Sequence, residues 1–337
     1  MFQDKVKIVK NFKTTKATVL VGNGKFELQN LPLSKLKPND CRIKILSAGV
    51  CSSDIPRAFE NGAYLYPLVM GHELAGEITC CGKNVKNFLP GDRVAIFPLL
   101  PCWNCSSCKD GMFLRCSSYD YYGSRRNGGY SQYLDVNYWN LMSIPKNINI
   151  DDAAFLEPLA VTFHALDKIG LLSNNNFSSN TSLAIFGAGF LGLLALKIIR
   201  LYKPKLTVTM FDRNHYKLNL AKKEGADIVH VKDGLIDKEL MNKKQGLFSF
   251  VLEATGVPIM FSNSLKILQS GGSVVWMGNI SDDLHLSKKD VSNILRKEIT
   301  IKGTWNSTYY PNKSSDWERA LQLIINGLKP SSLVTHR

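Results

Sequence analysis

Apolar and polar positions alternate along the first third of the chain and then give way to a longer period. "ATVLVG" (17–22), "CRIKILSAG" (41–49), "LAGEITCCG" (74–82) and "DRVAIFP" (92–98) alternate with a period of two, and Gly, Pro and Asn turns separate them. This spacing predicts a small β-rich barrel or sandwich. Near residue 150 the period changes. "DDAAFLEPLAVTFHALDKIG" (151–170) has helical spacing, with Asp151 and Asp152 placed for a helix N-terminus. A polar connector, "SNNNFSSNTS" (173–182), follows. Strands and helices then alternate: strand "LAIF", a helix from Phe190, strand "LTVTMF", a helix ending near Gly225, strand "DIVHV", strand "FSFVLEAT", a helix from Pro258, strand "GSVVWMG", a helix through Arg296 and strand "EITIKGTW". A βαβ rhythm of this kind requires a doubly wound parallel sheet, because crossover helices must cover both faces. The fold class expected is therefore α/β, a β-rich domain joined to a parallel sheet.

Composition narrows the classes. The 337 residues suggest two domains, and 45% hydrophobic with 21% charged residues is the balance of a soluble globular enzyme. No apolar run reaches the roughly 20 residues of a membrane span. The N-terminus, "MFQDKVKIVKNFK", lacks the apolar block of a signal peptide, so the cytosol is the expected compartment. The net charge of +14 invites a nucleic-acid reading. The lysines are scattered, however, and no block of basic and aromatic residues forms, so no nucleic-acid or membrane partner is expected. A basic surface suits a small anionic substrate.

Two stretches carry recognisable chemistry. In "LAIFGAGFLGLLALKII", Gly187, Gly189 and Gly192 stand at G-x-G-x-x-G spacing, with Leu191 in the first helical turn. The pattern follows a strand, opens a helix and precedes a second strand ending at Asp212, twenty residues after Gly192. Such a turn presents free N–H groups to a pyrophosphate. Asp212 suits a ribose 2′-hydroxyl and repels a 2′-phosphate, favouring NAD over NADP, whereas Arg213 beside it could receive that phosphate. The other reading is a glycine-rich turn without a dinucleotide.

In "PCWNCSSCKDGMFLRC", Cys102, Cys105, Cys108 and Cys116 are separated by two, two and seven residues. Four thiolates fill a tetrahedral zinc shell and leave no position for substrate, so such a zinc braces a loop. The alternatives are disulfides, which a reducing compartment disfavours, and a redox Cys-x-x-Cys. A catalytic metal needs mixed ligands and an open position. Cys51 in "GVCSSD", His72 and Glu73 in "GHELAGEI", and Glu157 in "FLEPLAV" are the candidates. Taken singly, these residues read as a buried thiol, a turn histidine, a surface acid and a carboxylate in an apolar run. Glu157 is costly to bury unless it is paired or bound to metal.

Taken in order, "GVCSSD", "GHELAGEI", "GDRVA", the four-cysteine loop, "FLEPLAV", "GAGFLG" and "EATG" resemble the zinc-dependent medium-chain alcohol dehydrogenases over nearly the whole chain. "EP" after an apolar run resembles their polyol and sugar-alcohol branch. The resemblance implies a GroES-like catalytic domain with both zinc sites at 1–159, a Rossmann NAD-binding domain at 160–299, and a return to the catalytic domain at 300–337. It implies two zinc ions per subunit, one held by Cys51, His72, Glu73 and Glu157 and one structural, with NAD as oxidant. Ser53 then hands off the substrate proton, and Lys217, five residues beyond Asp212, meets the adenosine ribose. The reaction implied is oxidation of a secondary hydroxyl of a sugar alcohol or its phosphate, foremost galactitol 1-phosphate to tagatose 6-phosphate. A sorbitol-type or threonine dehydrogenase is the alternative, and a homodimer or homotetramer the expected assembly. A phosphate would need cations, for which Arg125 and Arg126 in "GSRRNGG", Arg57 and Lys297 are candidates. Gln132 and Ser249 depart from residues usual in the branch. Relatives continue beyond "SSLVTHR" through a helix and a final strand, which would otherwise leave an apolar edge uncovered.

Overall fold

The computed structural model describes residues 13–173, 178, 180–230, 246–311 and 313–337. Half of the polar connector expected at 173–182, and the last residue of "DIVHV", lie outside them. The chain divides into two compact units, one of residues 1–157 with 308–325, the other of residues 158–307 with 326–337.

The first unit is built from short strands: β1 (Thr14–Gly22), β2 (Lys25–Pro32), β3 (Asp40–Gly49), β4 (Leu68–Val69), β5 (Glu73–Cys81), β6 (Arg93–Ile96), β7 (Leu99–Leu100), β8 (Asp120–Tyr121), β9 (Tyr133–Asn137) and β10 (Leu141–Ser143). They form an antiparallel sheet β10-β6-β5-β3-β9 beside smaller sheets β2-β1-β4 and β7-β8. The inward residues of the alternating strands, among them Ile43, Leu74, Ile78, Val94, Ile96 and Val136, make one buried cluster. β3 and β5 pair so that Gly49 stands opposite Glu73. That register places the end of one strand, just before Cys51, against the start of the other, just after His72. Short helices α1 (Asp54–Phe59), α2 (Ser106–Lys109) and α3 (Ile150–Ala154) decorate the sheet.

The helix expected over 151–170 is broken at Phe155. It continues as α4 (Leu156–Lys168), whose first turn carries Glu157. The second unit then alternates β11 (Ser182–Phe186), α5 (Phe190–Tyr202), β12 (Thr207–Asp212), α6 (His215–Lys223), β13 (Asp227–His230), β14 (Phe248–Glu253), α7 (Pro258–Lys266), β15 (Leu268–Trp276), α8 (Lys288–Arg296) and β16 (Thr300–Gly303). The sheet order is β13-β12-β11-β14-β15-β16, with every pairing parallel. The order reverses between β11 and β14, the topological switch point where such sheets bind ligands.

The return expected from residue 300 begins later and is shorter. β16 is hydrogen-bonded into the parallel sheet through Thr300–Gly303. Residues 308–325, including α9 (Asp316–Ile325), belong to the first unit. Trp317 of α9 is buried there, its ring 5.4 Å from Phe97, with Tyr309 stacked on Phe97 at 4.6 Å. Residues 326–337 pack back on the second unit, with Leu328, Pro330 and Leu333 buried.

Candidate active site

The mixed-ligand candidates converge. Donor atoms of Cys51, His72 and Glu73 all lie within 4.8 Å of one another, although 20 residues separate the first two. Gly49 makes this possible, since a Cβ there would stand 2.1 Å from the Glu73 carboxylate. Gly71, at φ +95°, turns the chain into His72, and a side chain at that position would enter the Tyr130 ring.

Three further residues, which the sequence did not single out, hold the cluster. The buried Asp54 carboxylate accepts from Arg57 Nη1 at 2.7 Å and from Tyr130 Oη at 3.0 Å. It lies 3.6 Å from His72 Nδ1, a buried nitrogen with no hydrogen bond of its own. Tyr121 Oη donates to Glu157 Oε1 at 3.2 Å, and its ring lies 5.7 Å from the His72 ring. Ser53 Oγ donates to Cys51 Sγ at 3.3 Å.

Electrostatics at this point demand a cation. Burial pushes the Glu73 carboxyl well up, and the charges of Cys51 and Glu157 push it further. Burial and then Glu157 likewise raise the Cys51 thiol. Glu157 is itself raised by burial, against the pull of His72. Glu157 stands outside the tight group of three donors yet close enough to feel them. A thiol, an imidazole and a carboxylate, crowded with a second buried carboxylate and an unpartnered histidine nitrogen, fit a borderline-soft divalent metal of the zinc type.

The second cluster is of different character. Cys102, Cys105, Cys108 and Cys116 bring four sulfurs within 4.8 Å of one another, and every cysteine in the chain is free. Cys102 and Cys108 Sγ are 4.0 Å apart, a thiol spacing rather than a bonded pair. Backbone N–H groups of Cys105 and Asn104 point at Cys102 Sγ, and that of Cys102 at Cys116 Sγ. N–H groups from Ser117 and Cys108 lower the Cys105 thiol to about 6, and those of Asn104 and Cys105 lower Cys102. Preorganised N–H···S donors of this kind stabilise thiolates around a metal. Aromatic rings wall the lobe, with Trp103 lying 5.1 Å from Phe113 and 4.9 Å from Trp139.

In the second unit the glycine turn is tight. Gly187 sits at φ +97°, and a Cβ on Gly192 would come within 1.9 Å of the Gly187 carbonyl oxygen. Gly192→Ala should therefore cost about 1–3 kcal/mol and weaken dinucleotide binding, read by thermal melting and by NADH fluorescence titration. Asp212 at the end of β12 accepts from Ala188 N and Asn214 N, each at 2.8 Å, one on either oxygen. Each oxygen keeps a further acceptor site. Leu191 is half-buried in the first turn of α5, and Arg213 and Lys217 are exposed.

The four candidate cations differ. Arg57 is paired with Asp54 and Arg126 with Asp120, both at 2.7 Å. Lys297 Nζ donates to the Leu268 carbonyl at 2.8 Å. Arg125 instead donates to Tyr119 Oη at 3.2 Å, its guanidinium 4.3 Å from the Tyr119 ring centre and 4.8 Å from that of Tyr64.

Comparison with known proteins decides the family. Residues 37–146 match the alcohol dehydrogenase GroES-like domain, and residues 191–326 the zinc-binding dehydrogenase domain. Galactitol 1-phosphate 5-dehydrogenase of Escherichia coli (strain K12) is 36% identical over 89% of this chain and 85% of its own length. The chain belongs to the zinc-type alcohol dehydrogenases. D-altritol 5-dehydrogenase of Agrobacterium fabrum is 29% identical over 95% of the chain and 91% of its own length. The crystal structure of galactitol-1-phosphate dehydrogenase from Escherichia coli superposes with a TM-score of 0.81 at 33% identity, covering 94% of this chain and 89% of that one. As a zinc-type dehydrogenase the chain is an oxidoreductase acting on CH–OH groups, with the GroES-like and doubly wound halves the sequence led one to expect. No helix among the described residues is long and apolar enough to cross a membrane.

Proposed function

We propose that the chain oxidises a secondary hydroxyl of a polyol phosphate with NAD, the best-supported substrate being galactitol 1-phosphate and its product tagatose 6-phosphate. The observation that carries this reading is the convergence of Cys51, His72 and Glu73 within 4.8 Å, in a chain 36% identical to a galactitol 1-phosphate 5-dehydrogenase. Cys51, His72 and Glu73 would hold a zinc ion, Glu157 standing beside them as a further ligand or its substitute. Zinc bound there supplies Lewis acidity that lowers the pKa of an alcohol. The four-cysteine lobe would hold a second, structural zinc. The half-buried Ser53 hydroxyl, already hydrogen-bonded to Cys51, is placed to take the alcohol proton and pass it to solvent. The Asp54 carboxylate stands 3.6 Å from His72 Nδ1, and Tyr121 fixes Glu157 through its hydrogen bond. The glycine turn and the N-terminus of α5 would receive the pyrophosphate, with Leu191 lining the turn. Asp212 would accept from the ribose hydroxyl and Lys217 would meet the same ribose, Arg213 staying in solvent. In balance, a secondary alcohol and oxidised NAD give a ketone, reduced NAD and a proton.

Asp212→Ala should raise KM for NAD by roughly 10- to 100-fold and narrow the preference over NADP, as read by steady-state kinetics with both cofactors. The substrate reading is tested by NADH formation from galactitol 1-phosphate, galactitol, sorbitol and L-threonine, before and after chelation. The phosphorylated polyol should be oxidised most efficiently, and chelation should abolish turnover until zinc is restored. Efficient oxidation of threonine or free sorbitol with none of galactitol 1-phosphate would overturn it.

A further inference from the structure

A phosphorylated substrate needs a cation that its own protein has not already neutralised. Of the four candidates, Arg57 and Arg126 are satisfied by carboxylates at 2.7 Å, and Lys297 Nζ is engaged by a backbone carbonyl. Arg125 is held differently. Among the described residues no carboxylate lies within ion-pair distance of it, and its guanidinium is half-buried against the faces of Tyr64 and Tyr119. Two tyrosine faces fix a guanidinium plane without cancelling its charge, leaving N–H groups free for a bidentate anion.

The place of this arginine connects it to the chemistry. The Tyr119 ring, against which Arg125 lies, is 6.2 Å from the ring of Tyr121. Tyr121 in turn lies edge-on to His72 and donates to Glu157. Tyr64 belongs to the loop that follows α1, the helix headed by Ser53 and Asp54. Arg125 therefore sits where two segments leaving the metal-ligand cluster come together, a few ring contacts from His72.

We infer that Arg125, oriented by Tyr64 and Tyr119, is the residue that binds the substrate phosphate and sets the preference for phosphorylated over free polyols. Arg126 plays a different part, since its pairing with Asp120 fixes the loop that presents its neighbour. The inference rests on the polyol-phosphate reading for its biological ligand, while the anion site itself is open to separate measurement.

The test uses the zinc-loaded full chain and the variants Arg125→Gln and Arg125→Lys. Kinetics with galactitol 1-phosphate should show KM raised roughly 10- to 100-fold in Arg125→Gln with kcat little changed, and a smaller rise in Arg125→Lys, which keeps the charge but not the fork. Titration with inorganic phosphate, followed by ³¹P line broadening, should show a matching loss of affinity in Arg125→Gln. A purely structural role would instead lower the melting temperature and kcat together and leave phosphate affinity alone. If the wild-type chain prefers free galactitol while phosphate affinity still depends on Arg125, the substrate reading fails and the anion site stands. Phosphate affinity and KM within twofold of wild type in Arg125→Gln would overturn the inference whichever polyol is preferred.

Discussion

Cys51→Ser is expected to reduce kcat/KM by on the order of 10³-fold or more while leaving the fold in place. A serine hydroxyl is not ionised near neutral pH and is a poor ligand for a borderline-soft ion, so the cluster would lose its thiolate donor. The two remaining members, His72 and Glu73, cannot hold the ion alone, and Glu157 stands outside the tight group. Folding should be little affected, because serine keeps the shape of the side chain and the one side-chain hydrogen bond of Cys51 is to the neighbouring Ser53. Burial shifts the Glu73 and Glu157 carboxyls towards their neutral forms, which lessens the uncompensated charge left when the ion is lost. Steady-state kinetics together with thermal melting separate the two effects. Turnover within tenfold of wild type would mean that this cluster is not where the alcohol is activated.

Cys108→Ala should act in the opposite way, on stability. Cys108 is buried at the centre of the lobe, where burial raises its thiol to about 12 in the absence of a metal. Little regular structure holds this stretch, the pieces being α2 and a single 3₁₀ turn at Phe113–Arg115. Its order depends on four sulfurs meeting one ion, and in such lobes metal-binding energy is folding energy. Loss of one ligand should cost on the order of 3 kcal/mol or more and lower Tm by roughly 10 °C. Trp103 and Phe113 pack on Trp139, so the damage should spread into the aromatic wall of the first unit. Calorimetry with and without chelator checks this. The wild-type chain should fall towards the variant on chelation, and the variant, left with the ion of the mixed-ligand cluster alone, should move less. A variant melting within about 2 °C of wild type would show that the sulfurs do not brace the lobe.

Local pattern made much of the architecture legible. The period-two segments became β1, β3, β5 and β6, and the buried runs "LAIF" and "FSFVLEAT" became central strands, because burial on both faces leaves no other use for such stretches. The glycine spacing at 187–192 was legible because the close approach of Gly192 to the Gly187 carbonyl lies within one short stretch. β2 was not, since its residues are mostly exposed and carry no alternation to read. The site divides along the same line. Cys-x-x-Cys is a local signal, whereas the link from Tyr121 to Glu157 spans 36 residues and that from Tyr130 to Asp54 spans 76. A polar residue that supports a ligand looks in sequence like any other tyrosine or aspartate, and only the fold gives it a partner. The clearance that Gly49 leaves for Glu73 exists only once β3 and β5 are paired. Nor could composition sort Arg125 from Arg126: adjacent and identical, they are told apart by Asp120 and by two tyrosine rings.

We propose that one chain holds two ions of different purpose, one enclosed by four sulfurs and one in a mixed shell with room for an alcohol. Elemental analysis of the active protein, with activity followed as metal is withdrawn, addresses it most directly. Two zinc ions per chain are expected, one for each donor cluster, with turnover lost in step with the ion bound by Cys51, His72 and Glu73 and recovered when it is returned. A fully active preparation carrying a single zinc, held by the four-cysteine lobe, would contradict it.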